Sequence, residues 1–173
     1  MDIFANAVGV LAVVMFNLSY QLKARRNLII CNASARILYV IQYLMLGAYS
    51  GAVLDVTALF VSLIYKRAVS FDRRRRLITA LFANAAVMGL GLLTYESPIS
   101  LLPIVGVIFE TTAMIPKEER RIRALSLLGA PPWLVYNLLS GAYGSAVGNV
   151  ITLVTIGIAM LRYDLPKKAG RER

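Results

Sequence analysis

Histidine is absent from the 173-residue chain, cysteine and tryptophan occur once each, and nine acidic residues stand against nineteen basic ones. Without histidine, a Ser-His hydrolase, a His-ligated metalloprotease and a rhomboid-like protease each lack a required group. An intramembrane aspartyl protease needs two buried aspartates, and Asp55 stands alone within the apolar stretches. No glycine-rich phosphate loop of the Walker type occurs, which argues against ATP-driven pumping by this chain. The lone Cys31 excludes an internal disulfide and a cysteine metal cluster, and is read as a packing residue. No enzymatic activity, cofactor or metal is expected.

What the chain has in abundance is apolar surface: 58% of residues are hydrophobic and 16% charged, far from the usual soluble balance. A span needs roughly 20 mostly apolar residues to cross about 30 Å of hydrocarbon. Seven such stretches follow one another, near 3–22, 27–46, 51–69, 77–95, 99–115, 122–140 and 144–161. Backbone groups in lipid must be paired within their own segment, so these stretches predict helices; a closed barrel would alternate apolar and polar residues, and this chain does not. The first stretch lacks a basic leader and exceeds the roughly 7–15 apolar residues of a signal peptide, so it is expected to be retained as a span.

The formal charge of +10 would suggest nucleic acid in a soluble protein, but its placement explains it otherwise. Eighteen of the nineteen basic residues fall at every second turn: Lys23, Arg25 and Arg26; Lys66, Arg67 and Arg73–Arg76; Lys117, Arg120, Arg121 and Arg123; then Arg162, Lys167, Lys168, Arg171 and Arg173. The positive-inside rule then predicts an outside N-terminus and a cytoplasmic C-terminus. The remaining basic residue, Arg36, lies inside span 2.

The sequence also repeats itself at an offset of 94 residues. Gly47-Ala48-Tyr49 recurs as Gly141-Ala142-Tyr143, Ala52-Val53 as Ala146-Val147, and Asp55 falls on Asn149, Leu59 on Leu153, Ile64 on Ile158 and Tyr39 on Trp133. At an offset of 97, Val8-Gly9-Val10 pairs with Val105-Gly106-Val107. Spans 1–3 therefore match spans 5–7. The expected organisation is a single membrane domain over 1–173: a first triple-helix repeat at 1–70, a linker helix at 71–96, and a second repeat with a basic tail at 97–173. Because spans 1 and 5 both begin outside, the repeats are parallel, and transporters built this way bind substrate near the bilayer midplane between the repeats.

This 3+1+3 plan, with Trp133-Leu134-Val135-Tyr136 followed by Asn149, resembles the SWEET and PQ-loop superfamily. Leu46-Gly47-Ala48-Tyr49, the run Leu101-Leu102-Pro103-Ile104-Val105-Gly106 and the stretch from Trp133 to Asn149 are similar to the bacterial inner-membrane YgjV family. The SWEET resemblance implies an all-α seven-helix transporter with an asparagine of the last helix lining its pocket, a role that falls on Asn149. It also implies prolines in the first two helices of each repeat. Spans 1 and 2 have none and span 5 has Pro103, so the expected hinge positions are Pro103, Gly106 and, opposite it, Gly9.

Charged groups at membrane depth are costly and face the bundle interior or a wet path. Arg36, Asp55 and Glu110 are the three. Arg36 needs a partner, with Asp55 and Glu110 as candidates; the set serves either as a packing ion pair or in proton coupling, for which Glu110 is the better suited. Polar residues recur at helical spacing: Asn32, Arg36, Tyr39 and Tyr43 in span 2; Trp133, Tyr136, Asn137 and Ser140 in span 6; Ser145, Asn149 and Thr152 in span 7; and, more sparsely, Asn6, Asn17 and Gln21 in span 1. The candidate substrate-binding set is Tyr39, Asp55, Trp133 and Asn149, with hydrogen bonds from Asp55 and Asn149 and flat faces from Tyr39 and Trp133. Such a site suits a sugar, a polyol or a small cation alike. Trp133 has a second reading as an interfacial anchor, and the Gly47/Gly51 and Gly144/Gly148 pairs read as close-packing glycines.

Two functions follow. The first is a facilitator or secondary transporter of a small polar, sugar-like solute by alternating access. The second is a non-transporting membrane scaffold, receptor or assembly protein on the same fold. Expected partners are the lipid bilayer and that solute, with a homo-oligomer left open and no nucleic acid.

Overall fold

The computed structural model describes residues 2–19, 25–68, 72–113, 115–116 and 118–164. Lys23, Lys117, Lys167, Lys168, Arg171, Arg173 and Gln21 lie outside them, as do the side chains of Arg25, Arg26, Asn32, Lys66 and Arg67. The described chain is all helical: α1 (Asp2–Ser19), α2 (Arg25–Met45), α3 (Tyr49–Ala68), α4 (Arg73–Leu93), a 3-10 turn Pro98–Ser100, α5 (Leu101–Ala113), α6 (Glu119–Leu139) and α7 (Tyr143–Tyr163).

Each expected stretch holds one helix, with shifted boundaries. Helix α4 begins at Arg73 rather than 77, because Asp72 caps it: its Oδ1 accepts from Arg75 N at 3.4 Å and its carbonyl from Arg76 N at 3.1 Å. Helix α5 has only 13 residues, since Pro98 opens a separate 3-10 turn ahead of it. Among the described residues two helices, α4 and α7, are long and apolar enough to cross a membrane, and shorter apolar runs lie at Ile3–Leu18, Tyr49–Val61 and Pro98–Ala113. The charged residues of α2 and of the first turns of α6 lower the apolarity of those two helices.

The exterior is apolar around the bundle. Leu81, Phe82, Leu93 and Leu161 are each more than 65% exposed, and exposed Ile, Leu, Val and Phe side chains occur on all seven helices. Apolar surface of this extent is unsuited to water and suited to hydrocarbon. Inside, Tyr43, Leu54, Val87, Ile104, Val107, Trp133 and Tyr136 form the main core, drawn from α2 through α6.

The sequence repeat has a geometric counterpart. The turns that follow α2 and α6 hold Gly47 (φ +70°) and Gly141 (φ +75°), both in the left-handed region open to glycine. In both turns the amide three residues past the helix bonds back across five positions, Ala48 N to Tyr43 O at 2.9 Å and Ala142 N to Asn137 O at 2.8 Å, the signature of a Schellman cap. Gly47 is thus a turn residue with open space around it, not the close-packing residue the sequence suggests. Packing follows the same rule. Helix α1 lies on α2 and α7, α5 lies on α6 and α3, and α4 bridges α3 and α5. Exchanging 1 with 5, 2 with 6 and 3 with 7 carries the first set of contacts onto the second.

Candidate functional site

The interface between the two helix triplets is polar. On its α2–α3 side Arg36 Nη1 donates to Asp55 Oδ1 at 2.6 Å, with side chains only 16% and 8% exposed. Of the two partners expected for Arg36, Asp55 makes the direct bond. Glu110 on α5 lies within electrostatic range of both charges and beside the Trp133 indole. It does not close a hydrogen bond to that ring: Trp133 Nε1–H is buried and unpaired, as is Asp55 Oδ2. One cation and two carboxylates thus converge from α2, α3 and α5.

An aromatic wall adjoins them. Trp133 stacks on Tyr43 (6.1 Å, 21°) and meets Tyr136 edge-on (6.0 Å, 81°). At 6% exposure Trp133 is a core residue and not an interfacial anchor. From the wall a chain of hydrogen bonds runs to α7: Tyr43 Oη donates to Asn137 Oδ1 at 2.9 Å, and Asn137 Nδ2 to Asn149 Oδ1 at 2.6 Å. Asp55 and Asn149 therefore do not bond to each other. Each is held by a neighbour on its own triplet, and Tyr43, which lies within electrostatic range of Asp55, links the two groups. Tyr39 packs against the same core, tilted against Phe16 at 6.4 Å, with its hydroxyl close to Gly148 of α7.

A second network joins α1, α2 and α7. Ser145 Oγ donates to Gln42 Oε1 at 2.5 Å and Gln42 Nε2 to Asn6 Oδ1 at 3.3 Å; Asn6 Oδ1 also accepts from Gly144 N at 3.0 Å. Its repeat-related copy joins α3, the 3-10 turn ahead of α5, and α6. Tyr136, the mate of Gln42, takes the amide of Gly51, the mate of Ser145, at 2.9 Å; Ser50 Oγ bonds Ser100 Oγ at 3.2 Å. Ser100 lies 94 residues beyond Asn6, and Gly144 lies 94 beyond Ser50.

The expected hinge residues are all tightly packed. A Cβ on Gly9 would overlap the Gln42 amide, one on Gly106 would meet Trp133 Cδ1 at 2.6 Å, and Pro103 is fully buried. Sequence reading missed Gln42, which is fully buried but lies off the polar stripe of α2. It also missed the central part played by Tyr43 and Asn137. The signal was available: residues 94 apart that face each other must sit on the pseudo-twofold axis, and these two hydrogen-bond each other. Missed as well were Pro131 and Pro132 within α6, which have no N–H to give the carbonyls of Leu127 and Leu128 just before Trp133. Cys31 lies between α1 and α2, its Sγ donating to Met15 O at 3.2 Å, as befits packing.

An all-helical bundle with an apolar skin and a buried polar interior describes an integral membrane protein of the helical class. The chain belongs to the Imp-YgjV family of bacterial inner membrane proteins, whose family model matches residues 3–167. It is 23% identical over 133 residues to "Inner membrane protein YgjV" of Escherichia coli (strain K12), an alignment covering 75% of this chain and 68% of that protein. No solved structure matches it.

Proposed function

We propose that this inner membrane protein crosses the bilayer seven times, as two like-oriented triplets (1–70 and 97–173) around a linker helix (71–96), and passes a small polar solute between them by alternating access. In this reading the N-terminus is outside and the C-terminus cytoplasmic, a plan similar to that of the SWEET and PQ-loop transporters. The observation that carries it is the buried polar seam where the triplets meet: the Arg36–Asp55 pair, the Tyr43–Asn137–Asn149 chain and the unpaired Asp55 Oδ2 and Trp133 Nε1–H. Buried groups left without partners in an apolar medium are expensive. A solute carrying both hydroxyl donors and acceptors satisfies an orphan acceptor and an orphan donor together. Tyr39, Asp55, Trp133 and Asn149 then contact solute, Glu110 and Arg36 carry charge compensation or a coupling proton, and Gly9, Pro103 and Gly106 sit where the triplets flex.

Uptake into proteoliposomes across a panel of sugars, polyols, amino acids and small cations tests this, with Asp55→Asn and Asn149→Ala as comparison. The expected result is uptake of at least one class by the native protein and its loss in both variants. No uptake of any class above empty vesicles sinks the transport reading and favours the scaffold. Orientation is read separately, by cysteine labelling in a Cys31→Ser background. Labels placed at 72 and at 164 should react from the cytoplasmic side, and labels at 47 and 141 from the other.

A further inference from the structure

We propose that the cleft between α2, α3 and α4 is a binding site for one anionic phospholipid, with an acyl chain in the cleft and the phosphate on Arg74 and Arg75. This rests on α4 spanning the membrane, and not on the transport reading. The cleft encloses about 820 Å³ and is walled by Leu44 of α2, Val53 and Phe60 of α3, and Ile78, Phe82 and Leu90 of α4. Two hydroxyls reach its lining, and both are already engaged by their own helices: Thr57 Oγ1 donates to Val53 O at 2.7 Å and Thr79 Oγ1 to Arg75 O at 2.9 Å. The wall therefore offers a ligand almost no hydrogen bonding and accepts hydrocarbon, which sets it apart from the polar seam.

Its length and its charged end identify the hydrocarbon. From Ile78 to Leu90 the α4 wall rises roughly 18 Å at about 1.5 Å per residue, close to the roughly 15 Å of one leaflet's hydrocarbon. Arg74 and Arg75 lie one helical turn before Ile78 and Thr79, so they continue the same face past the end of the cleft. Arg73 and Arg74 are exposed, and Arg75 holds Asp72 only at 3.8 Å with both side chains largely in solvent. Arg76 is turned away to Ile115 O at 3.1 Å. Three arginines facing out, against one aspartate, at the mouth of a leaflet-deep apolar cleft match a diacyl lipid with a net negative headgroup, as basic clusters at the ends of spans do generally.

Native mass spectrometry of the detergent-solubilised chain, titrated with phosphatidylglycerol or phosphatidylcholine, reads the site directly. The expected result is one retained phosphatidylglycerol. Arg74→Gln/Arg75→Gln, two exposed changes that leave the core intact, should weaken it about 25-fold, at roughly fivefold per arginine, with phosphatidylcholine unchanged. Ala86→Phe, at the open side of the cleft, should abolish retention while the arginines remain. Equal binding of both lipids, indifference to either variant, protection by inorganic phosphate alone, or a dimer that covers the cleft would each overturn the proposal. Cysteine labels at 72 and 95 reacting from the same side would instead remove the span on which it rests.

Discussion

Breaking the Arg36–Asp55 pair one partner at a time should destabilise the bundle far more than removing both. At 2.6 Å the attraction is about 6 kcal/mol for an effective dielectric near 20, but desolvation of each ion offsets several kcal/mol of this. The net value of the pair against an apolar pair is therefore close to zero, whereas one charge left behind costs about 3–5 kcal/mol. Asp55→Asn should fall at the lower end of that range, because Glu110 stays within electrostatic range of Arg36. Asp55→Asn/Glu110→Gln should cost more than Asp55→Asn alone, since it removes both carboxylates within electrostatic range of the guanidinium. Arg36→Met/Asp55→Ala should return to within about 1–2 kcal/mol of the native protein. Equilibrium unfolding in mixed micelles checks this, followed by the fluorescence of Trp133, the chain's single tryptophan, which lies in the same core. If Asp55→Asn unfolds within 0.5 kcal/mol of the native protein, on the order of measurement scatter, or if the apolar double variant is as unstable as either single change, the pair does not bear on folding as reasoned here.

Two further outcomes follow from the packing and from the charge at the end of α7. A Cβ on Gly144 would lie 2.5 Å from Asn6 O and 2.8 Å from Val10 N, both backbone. Gly144→Ala should therefore cost about 1–3 kcal/mol, while Gly157→Ala, with open space around it, should be neutral or stabilising by up to about 1 kcal/mol; the same unfolding assay compares them, and equal effects would refute the close α1–α7 crossing. At the end of α7, hydrogen bonds from Arg123 (2.9 Å from Nε and 2.5 Å from Nη2) hold the Asp164 carboxyl below its usual range. The unfolded chain binds the proton more readily, so this contribution is complete above the ordinary carboxylate range and is lost as pH falls through the lowered folded-state value. Thermal stability measured down the acid limb should decline less steeply in Asp164→Asn, and an unchanged slope would refute the linkage.

Helices, their order and the repeat were legible because lipid-facing segments are long apolar runs and because Gly47 and Gly141 occupy the same turn. Residue contacts were less legible. Asp55 and Asn149 share a repeat position, but in the folded chain the axis falls at Tyr43 and Asn137, about two turns along α2 from Arg36. Repeat arithmetic places residues in equivalent environments, but only packing decides which pair lies on the axis. The cap at Asp72 was hidden by the arginine run after it, which looks like a loop to any hydropathy window although the helix begins there. Gln42 escaped notice because it is buried by α1 glycine contact, at Gly9, and not by position on a polar stripe.

The repeat also provides an internal control on the charged cluster. Displaced by 94 residues, Arg36 falls on Ala130 and Asp55 on Asn149; displaced by 97, Glu110 falls on Val13. Not one of the three has a charged mate, although the turns, the interhelical crossings and the hydrogen-bonded slots around them do have counterparts. The repeat-related positions thus carry a methyl group and an amide in the second triplet and a valine in the first, so the fold itself places no requirement for charge at these positions. Three unmatched ionisable side chains on α2, α3 and α5 nevertheless converge on one buried locus, next to an unpaired indole N–H. A cluster whose repeat-related positions are all uncharged, and which is carried at a desolvation cost, is what the proposed solute-binding reading requires.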